Sequence, residues 1–400
     1  MSGDGLRDVI VAGGGPAGCA AAILLKERGH DVLLLDAARF PRDKICGESV
    51  SPGAWSVLRD LGVVPRLEAL HPWPLRGMAL TSPDGTSFEG RYRGIQAPGF
   101  AIRRESLDLL LLERARECGV EVREGARVCD VLFHGGVVGG VFFENGGGPE
   151  CARGRIVIGA EGRRSVVARR LALLREDPSL RKFAVRGYWE GMQGLSEHGE
   201  MHVGGGGYCG IAPLSATRAN VAFVLDRREL TRAGGDLAGF YERTIAERWP
   251  RVRERLRRAE RQGPPRAIGP LALKARHVSA PGSLLVGDAA GFHDPFTGEG
   301  VTLALRSAAI ACETADAALR SGRATDLSSY DRRRHAATRD KFRFNRLLQH
   351  VVAWPCLADH LARRLATRPA LADRLVGVAG DFVPARTAIG PSLLWDLLRS

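Results

Sequence analysis

In "GGGPAG" (residues 13–18) glycines recur as Gly13-x-Gly15-x-x-Gly18, and an acid, Asp36, follows 23 residues after Gly13. That spacing suits a dinucleotide. Gly13 makes a tight turn, Gly15 lets backbone N–H groups approach a pyrophosphate, and Gly18 lets a helix pack closely on a sheet. The free N–H groups at the helix start add positive potential, and Asp36 can accept hydrogen bonds from a ribose. A second stretch poses a question instead. In "FPRDKICGESVSPGA" (40–54) a thiol and a carboxylate, Cys46 and Glu48, flank Gly47 in a polar, proline-punctuated loop. Such a loop packs no core, so the thiol needs another reason to be there.

The elements that must carry these residues follow from the pattern. "RDVIVA" (7–12) predicts a strand, "PAGCAAAILLKERG" (16–29) a helix with Pro in its first turn and Gly at its end, and "DVLLLD" (31–36) a second buried strand. That is a βαβ unit, the context in which the glycine pattern gains its meaning. Cys19, next to Gly18 in the helix, reads as packing. "RRESLDLLLLERARECG" (103–119) predicts a helix, and residues 120–158 a strand meander broken by Gly-rich turns. Residues 176–276 mix β-branched runs such as "ANVAFVLD" with an amphipathic helix. "GSLLVGDAAG" then returns to a buried strand, followed by a long helix over 300–319. The last seventy residues read as helical, with a break at Trp354-Pro355. The expected fold class is α/β. A Rossmann-like domain spans 1–175 and is completed by 277–330, an α+β substrate domain is inserted at 176–276, and a helical extension covers 331–400.

The formal net charge of +13 is local rather than spread. Ten Lys/Arg against three Asp/Glu lie in residues 331–368, and six against two in "RVRERLRRAER" (251–261), leaving the rest nearly neutral. Two basic helical segments read as solvated faces, which argues against nucleic acid as a partner. An acidic substrate or an anionic membrane surface fits as well, and Leu357, Leu361 and Leu365, at i, i+4 spacing, could border a lipid-facing mouth. The eight cysteines contain no C-x-x-C pair, so neither a zinc site nor a disulfide framework is expected, and no metal. No apolar run reaches the length of a spanning helix. A soluble, cytoplasmic protein with reduced thiols is the expectation.

Two more segments, "IVIGAEGRRSVVARR" (156–170) and "LLVGDAAGFHDPFTGEGVTLALRSA" (284–309), resemble the distal flavin motifs of the group A flavoprotein monooxygenases and their relatives, the geranylgeranyl reductases and flavin halogenases. The resemblance covers roughly residues 6 to 330. It implies FAD on a domain of the hydroxybenzoate-hydroxylase type. It places Asp288, after Gly287, on the ribitol chain, and the turn of Pro295, Gly298, Glu299 and Gly300 at the pyrimidine edge of the flavin. A helix start there stabilises the negative charge of reduced flavin. "RRESLD" resembles the family's Arg-x-x-x-Asp element and puts Arg104 beside the cofactor. Glu161 stands where the family usually has Asp, so its reach is longer. Pro16, Ala17, Arg42 and Val128 complete the implied cofactor set.

The same resemblance answers the question of the loop. "FPRDKICGES" is similar to the halogenase and geranylgeranyl reductase versions, in which the loop packs on the isoalloxazine with its glycine nearest the ring. Cys46 is then a candidate hydrogen-bonding or acidic group, Glu48 a candidate proton-transferring carboxylate, and His293 a candidate proton donor. Tyr208 and Trp189 are expected to line the substrate pocket. The first expectation is a monooxygenase that hydroxylates or epoxidises an aromatic, polyketide-like or lipid-like molecule through a C4a-hydroperoxide. The alternative is an ene reductase saturating isoprenoid or other alkene bonds. A halogenase is disfavoured because "YCGIAP" (208–213) lacks both tryptophans of the halogenase W-x-W-x-I-P segment. A flavoprotein that only binds is carried as the non-enzymatic class. No second dinucleotide unit is visible, so electrons are expected from transient NAD(P)H or from a reductase or ferredoxin partner.

Overall fold

The computed structural model describes residues 5–176, 182–292 and 294–389, and builds them on two large sheets, with two small sheets of three and two strands and a helical cap. The first sheet is built on β1 (Arg7–Ala12), which pairs in parallel with β2 (Val32–Asp36) and with β4 (Pro149–Gly159). Beyond β2 lies β3 (Glu121–Glu124), and beyond β4 lie β8 (Ser283–Leu285) and Ser279–Ala280. Every residue of β2 and β8 is buried, as expected for parallel strands covered on both faces. The N-terminal half of β4 serves a second purpose, pairing antiparallel with the meander of Ala126–His134 and Val137–Asn145.

Helix α1 (Pro16–Glu27) connects β1 to β2 and buries an unbroken run from Pro16 to Leu25. Its small residues let it sit tightly against α2 (Arg104–Glu117) and α3 (Gly300–Arg320). Cys19 donates its thiol to Gly14 O at 3.2 Å and Cys312 donates to Ala21 O at 3.4 Å, so both act as packing groups between these elements.

The second sheet has seven strands. In spatial order they are Glu260–Ile268, β5 (Lys182–Glu190), β7 (Ala219–Asp226), β6 (Gly207–Pro213), His198–Gly204, Gly77–Thr81 and Ser87–Arg91. Two of these strands come from before residue 92, so the second sheet is wider than the expected 176–276 insertion. Side chains alternate across it, because successive Cβ atoms point to opposite faces. Phe183, Val185 and Trp189, with Val221, Phe223 and Leu225, pack against Phe240, Tyr241 and Trp249 of the flanking helices. Ala184, Arg186, Asn220, Ala222 and Val224 face the other way, towards the first sheet.

The C-terminal part is helical as expected. α4 (Ser329–Ala353) and α5 (Pro355–Ala366) flank the Trp354-Pro355 break. α5 and Pro369–Ala379 lie over Ser87–Arg91, covering the edge of the second sheet. Of the three leucines expected at a lipid-facing mouth, only Leu357 is exposed. Leu361 is half-buried, and Leu365 packs with Phe344 and Leu371, since α5 turns that face onto α4.

Candidate active site

A cavity of about 670 Å³ runs between the two sheets. At one end lies the glycine turn. Gly13 has φ +104, and a Cβ there would lie 2.6 Å from Ala160 O; a Cβ on Gly18 would lie 1.8 Å from Gly13 O. Only hydrogen fits at either position. Gly15 differs, since a Cβ there would meet nothing nearer than the Arg42 guanidinium at 3.7 Å. Its surroundings are open space beneath a cation. Arg42 is itself anchored by Asp108 at 3.1 Å. Asp36 accepts from Gly14 N at 2.6 Å and Ala38 N at 2.8 Å, which fixes its carboxylate at the rim of the same end.

The loop around Cys46 forms the middle of the cavity and ties the two sheets together. Glu48, 1% exposed and held at φ +62, accepts hydrogen bonds from Arg104 N (3.1 Å), from Asn220 Nδ2 (3.2 Å) and from the Tyr188 hydroxyl. Burial raises its pKa above the ordinary carboxylate value, and these donors offset part of the rise. Burial raises Tyr188 as well, and the neighbouring Glu48 adds to it. Tyr188 lies between the guanidinium groups of Arg186 (4.1 Å) and Arg103 (4.9 Å). Asp43, from the same loop, pairs with Arg186 and Arg266 of the second sheet. Asn220 Nδ2 also donates to Cys46 O at 2.8 Å. The Cys46 thiol accepts from Glu48 N at 3.3 Å and meets the Arg104 guanidinium, which Asp108 grips in two hydrogen bonds of 2.8 Å. A Cβ on Gly47 would touch nothing, so the loop backbone there faces open cavity.

Opposite the loop, Asp288 lines the cavity in the short helix Gly287–Ala290. Burial pushes its carboxyl up, opposed by Lys44, Arg163 and Arg104. Lys44 is pushed down by burial and by the charge of Arg104. Gly287 takes φ +59 and donates its N–H to Ser307 Oγ at 2.9 Å. The turn of Pro295, Gly298 and Gly300 closes this side.

The family model for the FAD binding domain matches residues 7–345. This chain belongs to that family. It is 30% identical over 343 residues to the menaquinone reductase of Mycolicibacterium smegmatis, covering 80% of this chain and 78% of that protein. It is 30% identical over 387 residues to digeranylgeranylglycerophospholipid reductase 1 of Methanopyrus kandleri, covering 92% and 98%. Among solved structures, a myxobacterial chondrochloren halogenase superposes with a TM-score of 0.80 at 26% identity, covering 86% of this chain and 82% of that one.

The residues present fit FAD. The first-turn N–H groups of α1, left without intrahelical partners, and the guanidinium of Arg42 suit its pyrophosphate. The half-buried carboxylate of Asp288, with no side-chain hydrogen bond of its own among the described residues, suits a polyol chain. The open backbone at Gly47 suits a ring. Val128, Pro16, Ala17 and Arg104 also line the cavity. Two residues of the expected cofactor set have other engagements. Glu161 accepts from Ser165 Oγ (2.7 Å), Val166 N (3.0 Å) and Val167 N (3.2 Å), so its carboxylate caps the following helix although it borders the cavity. Glu299 turns its side chain away from the cavity to the Lys341 ammonium and to Asn345 Nδ2 (2.7 Å) on α4. His293 lies outside the described residues.

Sequence reasoning missed Tyr188, Asn220, Arg186, Asp43 and Lys44. A signal existed for Asn220, the one amide in the alternating run "ANVAFVLD". Tyr208 is on the cavity wall as expected, donating to the buried carboxylate of Asp294 at 2.5 Å. Trp189 is not. It faces the helical side of the sheet and donates Nε1–H to the Tyr241 hydroxyl at 3.1 Å. The alternation of β5 puts Tyr188, not its neighbour, on the cavity side.

Proposed function

We propose that this FAD-dependent oxidoreductase is an ene reductase that saturates a carbon–carbon double bond in an isoprenoid, lipid-like substrate. The observation that carries this reading is the chamber beyond the Cys46 loop. Leu75, Met78, Met201, Val224, Leu271 and Phe296 wall it, with Tyr92, Glu200 and Tyr208 as polar points among them, so this part of the cavity is predominantly aliphatic, thioether and aromatic surface. Such a lining favours an apolar chain over a small charged molecule. The two relatives named as reductases of a quinone and of a geranylgeranyl lipid support reduction, and for that reason it displaces hydroxylation, the first expectation from the sequence. A halogenase relative shares the fold, but Tyr208–Pro213 keeps neither tryptophan.

FAD held by the glycine turn, Arg42 and Asp288 and reduced by an external donor would supply the hydride for such a reduction. The protein's own residues do the rest. The apolar chamber holds the chain and excludes water, and the loop backbone at Gly47 sets the approach to the ring. The second alkene carbon takes a proton from a group on the cavity wall. Cys46 and Glu48 flank Gly47 and line the cavity, and the Tyr188 hydroxyl holds the Glu48 carboxyl, so either side chain can be that donor.

The test is anaerobic. Protein reduced by light or dithionite is mixed with a prenylated quinone or a geranylgeranyl lipid in detergent. Return of the oxidised-flavin band, with a product heavier by two hydrogens for each bond saturated, is expected. Reoxidation that requires oxygen and yields an oxygenated product would replace this reading with hydroxylation.

A further inference from the structure

Leu347, Trp354 and Leu357 are three of the seven large apolar side chains exposed among the described residues, at 42%, 68% and 40%. They fall within eleven positions at the α4–α5 junction. Leu347 lies in the last two turns of α4, and Trp354 follows directly on its C-terminal end with extended backbone (φ −119, ψ 95). Pro355 and Cys356, the first residues of α5, are exposed as well. Arg339, Arg343 and Arg346 continue the same outer side and are all exposed. Asp340 pairs with the first two, whereas Arg346 has no acidic partner among the described residues.

The other side of these same turns faces the chamber. Leu348 and Val352 pack with Met201, Tyr208, Leu271 and Phe296, which are chamber-wall residues. One stretch of helix therefore separates the apolar chamber from an exposed apolar patch rimmed by guanidinium groups.

We propose that the α4–α5 junction docks this protein on an anionic lipid bilayer, with Trp354, Leu357 and Leu347 in the interface and Arg343 and Arg346 on the headgroups. Tryptophan is suited to the boundary between headgroups and acyl chains, and a basic rim adds attraction to anionic lipid. A second copy of the chain suits the patch less well. Three side chains fall short of the roughly 800 Å² per partner of a stable interface, and a twofold contact would bring arginine against arginine. Docking as such does not depend on the reaction, but its use, delivery of a lipid to the chamber, rests on the reading above.

The experiment uses the full-length holoprotein and two kinds of vesicle, pure phosphatidylcholine and phosphatidylcholine mixed with phosphatidylglycerol. Co-sedimentation with the anionic vesicles only is expected, and the double variant Trp354→Ser, Leu357→Ser should bind at least about tenfold more weakly with the same flavin content and melting temperature. Tryptophan fluorescence should be quenched by brominated lipid, and Trp354→Phe should abolish that quenching. No association with anionic vesicles, or equal association of the double variant, would overturn the proposal. So would a dimer in sedimentation equilibrium that the double variant dissolves, or quenching that is lost in Trp395→Phe and kept in Trp354→Phe. Turnover of detergent-solubilised lipid is read separately: activity without vesicle binding sinks only the docking, and binding without activity sinks only the reaction.

Discussion

The two ends of the cavity are built on different principles. The cofactor cradle depends on missing atoms: at Gly13 and Gly18 a single methyl group would collide with backbone. The chamber on the second sheet depends on atoms that are present, and its one glycine on the wall of β6, Gly210, has ordinary room. A Cβ there would meet Met201 Cε at 3.5 Å and nothing closer. The cradle thus tolerates no added atom at those two glycines. The chamber sets shape by side-chain volume and can drift towards different substrates while the cradle stays constant. That contrast agrees with one FAD binding domain family holding relatives named as lipid reductases and as halogenases.

The strongest way to break the contrast is to add one methyl group at each end. Gly18→Ala should abolish FAD retention and destabilise the protein by about 3 kcal/mol or more, since backbone must move to make room. Gly210→Ala should leave flavin content and melting temperature unchanged and shift kcat/KM between substrates of different bulk by about tenfold or more. Equal flavin loss in both variants would show that the two ends are not separate. Asp288→Ala, next in size, should lower the flavin-to-protein ratio after gel filtration without altering the far-ultraviolet circular dichroism spectrum. Full flavin content would remove Asp288 from the cradle.

The smallest expected effect tests the seam between the two ends. Burial raises the Glu48 pKa above its ordinary 4.5, so the folded state binds a proton that the unfolded state has already released. The associated stability is present below 4.5 and is lost as pH rises through the folded value. Glu48→Gln does not titrate. The melting temperature of the wild type relative to this variant should therefore fall as pH climbs from acid to neutral. A difference independent of pH would show that Glu48 has an unshifted pKa and is not a reservoir for a proton.

Much of the cradle was legible because its constraints are local in sequence. A tight turn, a helix start and a strand-end acid must come at fixed intervals, and residues 7–36 display all of them. Asp288 and the turn of Pro295, Gly298 and Gly300 were named through resemblance, and they line the cavity. The roles of two carboxylates were not. Glu161 is drawn into capping by Ser165, four residues on, and Glu299 is drawn away by Lys341, far along the chain. Buried charge goes to the partner that offsets its desolvation, and a partner on another helix leaves no mark in a local motif.

The sequence alone determined the βαβ unit, the dinucleotide chemistry of its glycines and the helical C-terminus, because backbone sterics and periodicity act over a few residues. Only the tertiary structure decided what the thiol loop does. Strands from before residue 92 and after residue 182 meet in one sheet, β5 and β7 present Arg186, Tyr188 and Asn220 to the loop, and those side chains hold Asp43, Cys46 and Glu48 at the cavity. Hydrogen bonds between segments more than a hundred residues apart exist only once the chain has folded, and they hold the thiol that the sequence left unexplained at the wall of the cavity.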